Sequence, residues 1–160
     1  MKIGIAVVTA SVMAMSVASH LSLRAAEPSA PRHPLSEIRP AYAPRTVWDS
    51  VYSDAQATRG QTLYGQSCTK CHQDALTGLD DAPALTGGSF LGGWNKMSLG
   101  ALFERINSSM PSDDPGSLSK QQIADILAYM LRFNNFPAGS GELPIQSELL
   151  KEIMIISAKP

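Results

Sequence analysis

Cysteine is almost missing from this chain. Its 160 residues carry two, Cys68 and Cys71. No disulfide framework is available to staple a small fold, and no cysteine near the N-terminus can take a lipid. Histidine is nearly as scarce: beside His72 there are only His20 and His33, both far upstream. A four-ligand structural zinc site with a second paired cluster therefore has no residues to draw on. Charged residues are only 17 % of the chain and the formal net charge is −1. That balance lacks the basic footprint of a nucleic-acid-binding surface. Period-two strand patterning, strand–helix alternation and internal repeats are absent as well.

The chain divides into four stretches. Residues 1–26 begin with Lys2 and continue over 3–18 in small and apolar residues without a charge. This reads as an export signal peptide, cleaved after Ala18, Ala25 or Ala26, and points to the periplasm. Uncleaved, residues 3–23 are long enough to cross a bilayer, so membrane attachment is expected only if the segment is retained. Cleavage after Ala26 removes Lys2 and Arg24 and no acid, taking the net charge from −1 to −3. Residues 27–46 form a linker broken by Pro28, Pro31, Pro34, Pro40 and Pro44. Residues 47–137 are the folded domain. Residues 138–160 are a C-terminal extension, in which Leu149, Leu150, Ile153 and Met154 have helical spacing and predict a short helix or an extended wrap.

Within the domain the apolar spacing predicts helices and an all-α class. The first runs over 54–67, opened by a capping box of Ser53 and Gln56. Gly60 in its interior costs about 1 kcal/mol against alanine, which implies a close crossing by another helix. Tyr64 lies one turn later on the same face, with Tyr129 as the residue to meet it. The stretch 74–95, punctuated by Gly78, Pro83, Gly87, Gly88, Gly92 and Gly93, reads as a loop. A loop of that length in a small domain implies a task. Ser98 caps a second helix over 99–109 with Leu99, Leu102, Phe103 and Ile106 on its apolar stripe. Pro111 ends it and leaves Met110 at the break. Ser119 and Gln122 form a capping box for a last helix that runs to about Phe133, burying Ile123, Ile126, Leu127, Met130 and Leu131.

After the first helix stands Cys68-Thr69-Lys70-Cys71-His72. C-x-x-C-H is the attachment sequence of a c-type haem, whereas a redox-active C-x-x-C expects a βαβ context. Cys68 and Cys71 are placed to form thioethers to the haem vinyl groups. They retain the cofactor, one covalent haem c, in an exported protein. His72 is the proximal iron ligand, binding through one nitrogen and giving its other N–H to an acceptor. The haem supplies much of the core, as a staple does in small domains.

For the second axial ligand, Met1, Met13 and Met15 lie in the export segment, Met154 in the tail, and Met130 has core spacing. Met97 and Met110 compete, and Pro111 favours Met110 by turning it out of its helix. Leu85, Leu91, Phe103 and Ile106 are candidate haem-pocket residues. Trp94 either packs or donates its indole N–H to a haem propionate. Lys70, Lys96, Arg105 and Lys120 are solvated cations, or border an exposed haem edge that meets an acidic partner.

From Ser53 to about Pro137 these features resemble class I cytochromes c: a helix with glycine and aromatic, C-x-x-C-H, a proline-bearing loop, Met-Pro and a terminal helix, in that family's order. More narrowly, the chain is similar to the cytochrome c domains that serve pyrroloquinoline-quinone alcohol dehydrogenases. Ala82-Pro83-Ala84-Leu85, Phe90-Leu91-Gly92-Gly93-Trp94-Asn95, Leu102-Phe103-Glu104-Arg105-Ile106 and residues 139–144 carry that likeness.

The resemblance implies the class I cytochrome c fold wrapped around one covalent haem, with a distal methionine just before the last helix. It implies that the Pro83 carbonyl accepts from His72. It further implies a single-electron carrier rather than an enzyme, taking electrons from a quinoprotein dehydrogenase and passing them to an oxidase or another cytochrome. His/Met ligation raises the haem potential and leaves no coordination position open. A small haem peroxidase would need a distal acid–base residue, and the domain has no second histidine. A gas-binding haem sensor would bind carbon monoxide tightly in the ferrous state.

Overall fold

A computed structural model describes residues 45–159. The expected signal peptide and the linker up to residue 44 lie outside the described residues. Ser53, in extended backbone, opens helix α1 (Asp54–Ser67) by accepting the Gln56 N–H at 3.1 Å. The reciprocal half of that capping box does not form. Gln56 is fully buried and turns instead to the C-terminal extension. Its Nε2 donates to the Leu143 carbonyl at 3.2 Å, and its Oε1 accepts the Leu143 N–H at 2.7 Å. A buried amide must pair both its groups, and the extension offers a donor and an acceptor together.

A single turn, α2 (Thr69–His72), follows α1. The stretch 74–95 is not loop throughout: Gly87–Trp94 form helix α3, anchored by the buried Phe90. Half of its eight residues are glycine. Propensity therefore argues against this helix, and tertiary burial overrides it. Helix α4 (Leu99–Ser109) is capped by Ser98 and stops at Met110, whose backbone is extended ahead of Pro111. Helix α5 (Lys120–Phe133) starts on a complete Ser119/Gln122 capping box.

Helix α1 packs chiefly on α5. Gly60 allows the approach, because a Cβ there would overlap the backbone carbonyl of Asp125. One turn on, the Tyr64 and Tyr129 ring centroids lie 5.2 Å apart at a tilt of 54°. Asp125 is buried, and its charge is met by a fork from Arg59, with Nε to Oδ2 and Nη2 to Oδ1 both at 3.0 Å.

The extension belongs to the same core. It forms a short helix α6 (Ser147–Leu150) and then a strand, and Leu143, Leu150, Ile153 and Ile155 are all buried. That strand, β2 (Ile153–Met154), pairs in parallel with β1 (Arg45–Thr46), so the end of the expected linker is itself part of a sheet. The same segment ties down the chain ahead of α4. Lys96 donates to the Ile155 carbonyl at 2.7 Å, Ile155 to the Met97 carbonyl at 2.8 Å, and Ser157 to Asn95 Oδ1 at 3.0 Å.

Tyr52 links the chain ahead of α1 to the end of α5 by donating to the Phe136 carbonyl at 2.7 Å. Burial, aided by the nearby charge of Asp54, pushes its pKa from 10.0 up to about 12. The folded chain thus holds this proton more tightly than the unfolded chain. The resulting stability is fully present below pH 10 and is lost as the pH rises through 12. Tyr52→Phe should be about 1 kcal/mol less stable at pH 7, because the Phe136 carbonyl loses its donor. Its stability should also fall less steeply between pH 10 and 12 than that of wild type, as urea unfolding across that range will measure.

Candidate haem-binding site

Helix α1 delivers the motif directly. Its last hydrogen bond runs from Cys68 N–H to the Tyr64 carbonyl at 2.9 Å, and in α2 His72 N–H then donates back to the Cys68 carbonyl at 2.9 Å. On one helical turn Cys68, Cys71 and His72 stand at i, i+3 and i+4, which share a face. The turn stops at Gln73, whose φ is +62°, and Tyr64 Oη donates to the Gln73 carbonyl at 2.9 Å.

The following loop is folded tightly against the motif. Gly78 donates to the His72 carbonyl at 3.1 Å. Its φ is +75°, and a Cβ on it would run into the Ala82 carbonyl and Pro83, so no other residue fits. This packing sets the Pro83 carbonyl 2.8 Å from His72 Nδ1. A carbonyl only accepts, so Nδ1 carries the proton and Nε2 keeps its lone pair for a metal. Beyond Pro83 the loop is clamped to the end of α5: Asn134 Nδ2 donates to Leu85 O at 3.0 Å and its Oδ1 accepts Gly87 N–H at 3.2 Å.

These elements enclose a cavity of about 960 Å³. Of the residues singled out in the sequence, Cys68, Cys71, His72, Met110, Pro83, Leu85, Trp94 and Ile106 border it. Phe103 and Leu91 do not border it. Each helical residue turns the side chain by about 100°, and on α4 the cavity face is Leu102, Arg105 and Ile106. Phe103 points off that face and is fully buried in the protein core. On α3 the cavity is bordered by Ser89, Phe90, Gly93 and Trp94, not by Leu91. Phe90 was missed because its stretch reads as a loop. Ile126 and Met130 of α5 also border the cavity, and their spacing of four residues was read only as core. Lys70 and Arg105 stand at the cavity, whereas Lys96 and Lys120 do not.

Three thioethers reach this space. Met97 is 43 % exposed, Met130 is buried in mid-helix, and Met110 is partly buried at the end of α4. Burial, and secondarily the neighbouring Cys71, pushes the Cys68 pKa up to about 11. Cys68 is therefore a neutral thiol at pH 7, the opposite of the depressed thiol of a dithiol oxidoreductase. Among the described residues no group of three His, Cys, Asp or Glu side chains is placed to hold a bare metal ion.

The site fits a porphyrin. Leu85, Phe90, Leu102 and Ile106 give apolar walls, two thiols lie on one edge, and an imidazole with a free Nε2 and several sulfurs face the same space.

Residues 55–130 match the family model described as cytochrome c oxidase, cbb3-type, subunit III. The match runs from the first turn of α1 into α5, and takes in the C-x-x-C-H turn and Met110-Pro111. Among solved structures, the sulfane dehydrogenase SoxCD from Paracoccus pantotrophus aligns at 21 % identity with a TM-score of 0.45. That alignment covers 68 % of this chain and 61 % of the other. No curated protein sequence matches the chain. By the family match and by its helical order around the C-x-x-C-H turn, the chain carries a class I c-type cytochrome domain, whose function is electron transfer through covalently bound haem c.

Proposed function

We propose that this protein is an exported single-electron carrier with one haem, held by thioethers from Cys68 and Cys71 and ligated by His72 and Met110. The observation that carries this reading is that all four side chains border one cavity, with His72 Nδ1 already engaged by Pro83. When bound, the haem supplies a one-electron couple that no side chain of the chain provides.

His72 would hold the iron through Nε2, with the tautomer and plane of its ring fixed by the Pro83 carbonyl. Met110 is held in place by its own N–H, which donates to the Ile106 carbonyl at 2.9 Å, so its side chain leaves the helix without loosening it. A neutral sulfur donor favours the ferrous state. With His72 and Met110 both holding the iron, the site would leave no place for peroxide or a diatomic gas, which favours electron transfer over the peroxidase and sensor readings. Apolar walls from Phe90, Leu102 and Ile106 exclude water from the cofactor.

The apolar N-terminal segment and covalent attachment of the cofactor together support a periplasmic setting. There the donor is a quinoprotein dehydrogenase and the acceptor is a terminal oxidase or another cytochrome. The description of the matched family as an oxidase subunit supports the oxidase.

The ligand set is tested by the sulfur-to-iron charge-transfer band of the ferric protein in the near infrared. Met110→Ala should abolish it and lower the reduction potential, within the roughly 0.8 V that axial ligation spans. Met97→Ala and Met130→Ala should keep it. A band that survives in Met110→Ala, or disappears in Met97→Ala, overturns the assignment.

A further inference from the structure

The stretch 76–87 carries the Pro83 carbonyl, and most of its hydrogen bonds run back to the C-x-x-C-H turn or stay within the stretch. Gly78 N–H reaches the His72 carbonyl at 3.1 Å, and Leu85 N–H reaches the Leu76 carbonyl at 2.8 Å. Among the described residues, its hydrogen bonds to any more distant element all go to one side chain, that of Asn134.

Asn134 stands just past the last residue of α5 and is only 8 % exposed. Both donors of its amide and its oxygen are engaged. Nδ2 donates to the Met130 carbonyl at 2.9 Å and to the Leu85 carbonyl at 3.0 Å, and Oδ1 accepts the Gly87 N–H at 3.2 Å. The Met130 bond fixes the amide on the end of its own helix, so the other two hold the loop to a fixed point. Gly87 opens α3, and Thr86 ahead of it makes no side-chain bond to that helix. Asn134 supplies an acceptor at this helix start instead. It does not itself border the cavity.

We infer that Asn134 is a positioning residue for the axial histidine: by pinning Leu85 and Gly87 to α5 it holds Pro83 at hydrogen-bond distance from His72 Nδ1. This rests on the haem reading above. A ring N–H that donates to a firmly held carbonyl makes the imidazole more basic. A more basic imidazole stabilises ferric iron over ferrous. Leucine at 134 is close to asparagine in size but leaves the Leu85 carbonyl and the Gly87 N–H without partners. Buried groups in that state pull the loop toward water. The Pro83 carbonyl then loosens from His72, the imidazole gives less electron density, and the potential rises.

The test uses full-length holoprotein matured with haem, as wild type, Asn134→Leu, Asn134→Ser and Gln56→Leu. Spectroelectrochemistry reads the potential, and proton NMR of the ferrous protein reads solvent exchange of the His72 Nδ1–H. Asn134→Leu should shift the ferric–ferrous equilibrium about threefold toward ferrous, about 28 mV at roughly 59 mV per decade. It should also speed Nδ1–H exchange roughly tenfold, because the loop opens more often. Gln56→Leu is the control for loss of a buried amide clamp, since Gln56 ties α1 to Leu143. It should lower stability too, but leave both readouts at wild-type values.

If Asn134→Leu equals wild type in both readouts while the Met110 charge-transfer band is intact, the inference fails and the haem reading stands. Equal shifts in Gln56→Leu reduce Asn134 to a structural clamp and overturn the inference as well. Wild type that matures without covalent haem overturns both readings. Should Asn134→Leu fail to mature, Asn134→Ser decides, its side chain being too short to reach Leu85. An unmoved potential and unmoved exchange there overturn the inference equally.

Discussion

A Cys68→Ala/Cys71→Ala variant is expected to surrender all of its haem to acidified acetone, whereas wild type keeps its pigment with the protein. Cys68 and Cys71 stand one helical turn apart on the face that also carries His72, so the two proposed thioethers would form against one edge of one cavity. The chain has no other cysteine to substitute for them. The single variants should each retain haem through one bond. Loss of attachment also removes the occupant that keeps the walls apart. Without an occupant the apolar walls of the cavity face water, so the double variant should lose much of its far-ultraviolet helical signal unless haem binds noncovalently. Pigment that stays with the double variant after extraction would show that another residue makes the bond.

The second large effect is expected at Gly60. In an isolated helix glycine-to-alanine stabilises by about 1 kcal/mol. Here the sign should reverse, because the new Cβ would collide with the Asp125 carbonyl rather than with a yielding side chain. Backbone cannot step aside without parting α1 from α5, which separates Tyr64 from Tyr129 and pulls Arg59 off the buried Asp125. Gly60→Ala should therefore cost about 3 kcal/mol and lower the melting temperature of the holoprotein by on the order of 10 °C. Gly65 on the same helix is the control: its Cβ would meet nothing within 4 Å, so Gly65→Ala should be neutral or stabilising. Equal behaviour of the two variants would refute the close crossing.

The features legible in the sequence are local ones. The ends of α1, α4 and α5 were set by Ser53, Ser98 and Ser119 and by the proline after Met110, each of which acts through backbone groups within a turn of itself. Gly60 announced a helix crossing because its only advantage over alanine is size. Helix α3 was illegible because its glycines state the local preference of a loop, while the burial of Phe90 that stabilises it is a long-range fact. The fate of Gln56 was hidden in the same way, since its partner Leu143 is 87 residues away. Phe103 and Ile106 share one stripe although only Ile106 borders the cavity, because an apolar stripe shows which residues leave water, not which apolar neighbours they meet.

The sequence by itself determined the helical class, the C-x-x-C-H attachment turn and the methionine freed by Pro111, because each is written in spacings of a few residues. Tertiary structure alone decided which side chains share the cavity, and it set the Pro83 carbonyl, named beforehand only by family resemblance, against His72. It also decided that the extension is part of the core. Those outcomes depend on segments far apart in the chain being brought within a few ångströms, and no local preference encodes that distance.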